Sequence, residues 1–169
     1  MTGFESPVPI LIKALHSLDR CLAKGRAYAE ARKFDPDVLV TARLAPDQFA
    51  LVRQVQSACD TAKFAAAKLS GQPPPVHPDT EKTLAELSVR IHTCIAYLET
   101  FEVSDFVGAE TRACSHVWMQ GKHLTGRDYV AHYVLPNFYF HMVTAYAILR
   151  HNGVDVGKLD YLGELPMVG

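Results

Sequence analysis

The sequence predicts an all-α fold, a four-helix bundle, and three observations predict it. Four stretches carry apolar residues at helical spacing. The strongest breakers fall between those stretches, above all the three successive prolines of "QPPPVHPD", which cannot lie in a helix interior. Of the 169 residues, 49% are apolar, enough for the core of one domain. Residues 1–169 are read as that single domain, with a short β-hairpin expected between helices three and four.

In the first stretch, "SPVPILIKALHSLDRCLAKGRAYAEARK", Leu11, Ala14, Leu15, Leu18, Leu22 and Ala29 share one stripe, and Ser6 before Pro7 reads as a cap followed by a first-turn proline. "FDPDVLVTARLAPDQ" holds two prolines and several turn residues, so the chain crosses there between helices. The second helix is expected from near Pro46, with Leu51, Val55, Ala58, Ala62, Ala65 and Leu69 on one face and Gly71 as a left-handed cap. The third, "DTEKTLAELSVRIHTCIAYLETF", has an Asp/Thr start, acids in its first turn, and Leu84, Leu87, Ile91, Ile95 and Leu98 in register. Residues 101–124 lose the period, and "TRACSHVWMQGKHLT" suits two short strands about Gln120-Gly121. Thr125 with Asp128 imitates a capping box for helix four, which should run to about Asn152 with Gly153 as its cap and an irregular tail beyond. Pro136 lies inside this helix and deprives the His132 carbonyl of its usual donor, so a bend is expected.

Charge and motif content exclude several classes. Lys plus Arg number 17 against 18 Asp plus Glu, with no basic cluster, so neither nucleic acid nor an anionic membrane is an expected partner. No uncharged stretch is long enough to span a bilayer, and the N-terminus, with Glu5 before a very short apolar run, is unlike a secretory signal. Cys21, Cys59, Cys94 and Cys114 are dispersed without a CxxC, which fits a reducing cytoplasm better than a disulfide framework or a zinc knuckle. GxSxG and phosphate-cradling glycine motifs are absent.

One polar pair stands out within "PNFYFHMVTAYAILRHNG". Asn137 and His141 are four residues apart, roughly 40° around a helix of 3.6 residues per turn, so both face the same way. Bundle interiors are where side chains of several helices converge on metals and ligands. A hydrogen-bonded core pair is the competing reading.

"LPNFYFHMVTAYAILRHNGV", together with "ARLAPDQFALVRQVQSACDTAK", "GQPPPVHPDTEKTLAELSVRI" and "GVDVGKLDYLG", resembles an uncharacterised bacterial and fungal group in the DinB/YfiT-like superfamily. The resemblance spans nearly the whole chain and implies a DinB-like four-helix bundle, often dimeric. In that superfamily three histidines commonly hold a divalent metal, one on helix two and two at HxxxH spacing on helix four, and some members are thiol-dependent transferases or isomerases. Carried onto this sequence, His141 matches the second histidine of HxxxH, Asn137 takes the place of the first, and the helix-two ligand falls near Asp60 or Thr61, with no histidine between His16 and His77. Such a set would hold zinc, nickel or manganese more weakly than three imidazoles. Asp60 lies off the helix-two stripe, where a surface carboxylate is the plainer reading, and Cys59 beside it reads as a small core residue.

Among the other histidines, His16 and His92 are expected to be partly buried and structural, while His116, His123, His132 and His151 are expected at the surface. Trp118 either covers one end of the bundle as a lid or, the preferred reading, plugs its core. The aromatics of helix four encircle it, and some are expected to meet another helix across a homodimer. Two functional classes follow. One is a protein that binds a small molecule or a weak divalent metal at His141, Asn137 and Asp60, with enzyme activity left open; the other is a non-catalytic homodimer in which the pair only satisfies the core. A DNA-damage role gains nothing from the near-neutral charge.

Overall fold

The computed structural model describes residues 4–168. Four long helical segments form an all-α bundle: α1 (Val8–Arg32), α2 (Leu51–Ser70), α3 (Leu84–Leu98), and a final segment made of α4 (Gly126–Tyr129), a π-helical turn (Val130–Val134) and α5 (Leu135–His151). A short α6 (Lys158–Leu162) follows. The apolar stripes close on one core: Leu11, Leu15, Leu18 and Leu22 of α1 meet Leu51, Val55 and Leu69 of α2, Leu84, Leu87 and Ile91 of α3, and Phe138, Met142 and Ile148 of α5, all buried. Alanines 58, 62, 65 and 66 give α2 a smooth face, and α5 packs most extensively against it.

The helix ends follow the local chemistry. Ser6 Oγ accepts from the Val8 N–H at 3.3 Å, and Gly71 closes α2 with φ +79°. α2 begins at Leu51, later than Pro46, because Ala50 is extended and the Leu51 N–H returns to the Ala42 carbonyl at 2.9 Å, closing a loop. α3 likewise begins at Leu84 instead of Asp79. Thr83 and Glu86 form a reciprocal capping box, and Asp37 reaches across to accept from the Leu84 N–H at 2.9 Å. The "VDVGKLDYLG" tail is not wholly irregular: Asp160 accepts from the Gly157 N–H and pairs with Lys24, both at 2.8 Å, which folds α6 onto α1.

The expected hairpin is present in reduced form. Ala113–Cys114 pairs antiparallel with Leu124–Thr125, and the turn between them carries Gln120 and Gly121 at positive φ. Thr125 caps α4 through the Asp128 N–H at 3.2 Å. Before Pro136 the backbone ladder widens, with the Leu135 N–H donating to the Val130 carbonyl five residues back. The missing proline donor is thus absorbed by a π-turn inside a continuous helix.

Candidate functional site

Asn137 and His141 both face α2, and each is held by one residue of it. The Asn137 Nδ2 donates to Thr61 Oγ1 at 2.7 Å, and the His141 Nδ1–H donates to Gln54 Oε1 at 2.8 Å. Gln54 and Thr61 lie two turns apart on one face of α2, matching the antiparallel run of α5 against it. The roles of the polar atoms are fixed by their second bonds. Gln54 Nε2 donates to the Phe49 carbonyl at 3.0 Å, so its oxygen is the atom turned to His141; the Thr61 hydroxyl donates to the Ser57 carbonyl at 2.7 Å, so its oxygen accepts from Asn137.

Two lone-pair atoms remain. His141 Nε2 has no protein partner among the described residues and is not sealed from solvent, and Asn137 Oδ1 has no partner there either. Burial, with a further contribution from Arg53, holds the His141 imidazole below the usual histidine range and so neutral.

Asp60 is engaged elsewhere. Its Oδ1 accepts from Arg90 Nη2 and from Lys63 Nζ, both at 2.9 Å. Arg90 is itself buried and also meets Glu81 at 3.0 Å and Asp79 at 3.3 Å, while donating to the Pro78 carbonyl at 3.1 Å. This network straps the proline-rich segment 72–82 across α2 and α3. What stays at the pair is one imidazole nitrogen and one amide oxygen, a donor set that does not fit a tightly held divalent ion. Among the described residues no three His, Cys, Asp or Glu side chains are grouped to hold a metal. Cys59 is fully buried, and the Cys94 thiol donates to its carbonyl at 3.3 Å; the hydrogen-bonded Cys94 and burial push the Cys59 thiol well up, away from reactive thiolate chemistry.

The remaining histidines divide differently from expectation. His16 and His92 are exposed, the latter beside Asp19 at 3.0 Å, because each projects from the flank of its apolar stripe. His123, His132 and His151 are exposed as expected. His116 is half-buried: its Nε2 lies 2.9 Å from the Tyr129 hydroxyl, and its ring packs on Tyr133 and stacks on Trp118. Desolvation, then Lys68, lowers its pKa to about 4. Trp118 is 60% exposed and lies over His116 and Tyr133, so it covers this end of the bundle and does not plug its core.

Of the two helix-two positions named from the resemblance, Thr61 is the one that meets Asn137, whereas Gln54 and Arg90 were not anticipated from the sequence. Their signal was faint: Gln54 and Thr61 sit seven apart on the edge of the α2 stripe, and Arg90 directly precedes Ile91 on that of α3, positions where polar side chains are ordinarily solvated.

Among curated proteins, none matches this chain. It is similar to a DinB family member protein from Shewanella denitrificans, known from a crystal structure, with 51% identity, a TM-score of 0.92, and coverage of 96% of this chain and 92% of that one. The profile of a domain of unknown function, DUF1993, matches residues 4–162. With the bundle matched from end to end, this chain belongs to the DUF1993 family and is a DinB-like protein.

Proposed function

We propose that this DinB-like chain binds a small organic molecule at the α2–α5 face and works without a resident metal ion. The observation that carries the reading is the Gln54–His141 bond: it commits Nδ1 to the protein and leaves Nε2 as a neutral acceptor about one helical turn from Asn137, whose Oδ1 is also without a partner among the described residues. Two acceptors on one helix face suit a ligand that presents two N–H donors, as ureas and aminopyridines do. His141 would accept one proton of the ligand, or take it as a base, and Asn137 would orient the other.

Long-range proton–nitrogen NMR of His141 tests this directly. The expected spectrum is the Nδ1–H tautomer at neutral pH, with the Nε2 resonance moving when urea- or aminopyridine-bearing fragments are added, and no stoichiometric metal after dialysis against nickel, zinc or manganese. Near-stoichiometric metal that disappears in His141→Ala would overturn the reading, as would a library of such fragments that leaves Nε2 unmoved.

A second reading, the homodimer, is favoured by Phe140 and Val143, which leave 56% and 47% of their surface exposed on α5. Sedimentation equilibrium of the wild type and of Phe140→Lys decides it: a dimer dissociated by the lysine supports an interface on α5, and a monomer in both removes it.

A further inference from the structure

A cleft of about 720 Å³ opens between the start of α1 and the loops that follow α3. Its walls are apolar, formed chiefly by Phe4, Val8, Ile10, Phe101, Val103 and Phe106. Val8 and Phe106 are buried and make its floor, whereas Ile10 and Val103 are exposed, so among the described residues this apolar surface is left uncovered. Phe101 and Phe106 lie with ring centroids 5.7 Å apart, offering an aromatic wall. The volume falls within the roughly 300–1,000 Å³ of small-molecule sites.

The charge of the cleft is one-sided. Among the described residues Glu5, Glu102 and Glu110 line it, and no Lys, Arg or His does. Glu110 is paired with Arg127, but Glu5 and Glu102 enter none of the ion pairs formed among the described residues. Carboxylates set against low-dielectric apolar walls attract a cation and repel an anion more strongly than they would in open water.

We infer that this cleft binds a small molecule with an aromatic or similarly apolar body and a protonated amine, the body against Phe101 and Phe106 and the ammonium toward Glu5 and Glu102. This is a different site from the Asn137/His141 pair. Arg112, which follows the last residue of the cleft, donates to the Leu69 carbonyl at one end of α2, and His141 is held by Gln54 near the other, roughly 22 Å away at 1.5 Å per residue.

The test is an NMR titration of the intact chain with three probes sharing one ring: naphthylethylamine, naphthylethanol and naphthylacetate. The expected result is amide shifts confined to residues 4–10 and 101–111, with the amine bound roughly tenfold more tightly than the alcohol and the acetate not bound. In Glu5→Gln/Glu102→Gln that preference should collapse to within roughly twofold while the affinity for the alcohol is kept. Val103→Trp, at an exposed position that leaves the core untouched, should fill the cleft and abolish binding of all probes. Equal affinity for amine and alcohol, a preference that survives the double substitution, or no shift in these segments would overturn the proposal. Shifts appearing instead at Asn137 and His141 would overturn it while supporting the acceptor site on α5.

Discussion

A double-mutant cycle on Gln54 and His141 asks whether α2 holds the imidazole or merely lies beside it. His141→Phe keeps a ring of similar size but strands the Gln54 Oε1, which belongs to a side chain only 1% exposed; Gln54→Leu strands the His141 Nδ1–H and also frees the Phe49 carbonyl. A buried polar group left without a partner costs about 1–3 kcal/mol, and because His141 retains 8% exposure each single substitution should fall near the middle, about 2 kcal/mol. In the double variant neither partner is stranded by the other, so its cost should be close to that of one single, which puts the coupling at about 1–2 kcal/mol. Urea unfolding at pH 7.5 measures all four corners, with a constant m value required so that the midpoint reports stability alone. Additivity within about 0.3 kcal/mol would mean that the two side chains do not hold each other and that Gln54 does not fix His141 as the Nδ1–H tautomer.

Three further outcomes are expected. Arg90→Met should cost about 2–3 kcal/mol in urea unfolding and raise amide exchange across residues 72–82, because Asp60, Asp79 and Glu81 lose their shared cation; their partial exposure keeps the cost at the lower end of buried-pair losses. Exchange unchanged in that segment would show that the network does not secure it. Gly126→Ala should destabilise by about 2–4 kcal/mol, since an added Cβ would press into the Ala109 carbonyl, with its carbon at 2.9 Å, and meet Leu69 Cδ2 at 3.1 Å; a melting temperature within about a degree of wild type would refute the contact. His116 makes stability depend on pH: its folded pKa of about 4 lies below the unfolded value near 6.5, so its contribution is complete above about pH 6.5 and lost as pH falls toward 4. Half-exposure reduces the effect to about 1–2 kcal/mol, and His116→Phe should flatten that slope.

The helices were legible because their signals are local and repeated. Leu84, Leu87, Ile91 and Leu98 fall on one stripe whatever the rest of the chain does, and all four are buried. The starts of α2 and α3 were less legible because they depend on partners far along the chain: the Leu51 N–H needs Ala42 to close its loop, and the Leu84 N–H needs Asp37. The π-turn before Pro136 was half legible, since the proline announces a lost bond but not how the backbone redistributes it. At the site, periodicity put Asn137 and His141 on one face, yet the register of α5 against α2 lies in no local pattern. Asp60 and Thr61 are adjacent in sequence but about 100° apart around α2, which is enough to send one to Asn137 and the other to Arg90 and Lys63.

That register also decides which polar atoms the α5 face turns away from α2. Because the Thr61 hydroxyl is spent on Ser57, it can only accept from Asn137, and Asn137 must turn its amide nitrogen inward and its oxygen out. Because Gln54 spends its nitrogen on Phe49, it can only accept from His141, and the unprotonated nitrogen of the imidazole is likewise turned away from α2. Two backbone carbonyls of α2 and its preceding loop therefore set the polarity of two side chains on another helix. The pair thus turns an imidazole nitrogen and an amide oxygen away from α2 as acceptors while His141 is neutral, the polarity that the proposed N–H donor ligand requires. Protonation reverses one of the two positions. As pH falls through the lowered pKa of His141, Nε2 becomes a donor, and affinity for a donor ligand should decline together with the Nε2 chemical shift. Affinity that stayed level while that resonance titrated would place the ligand elsewhere on the chain.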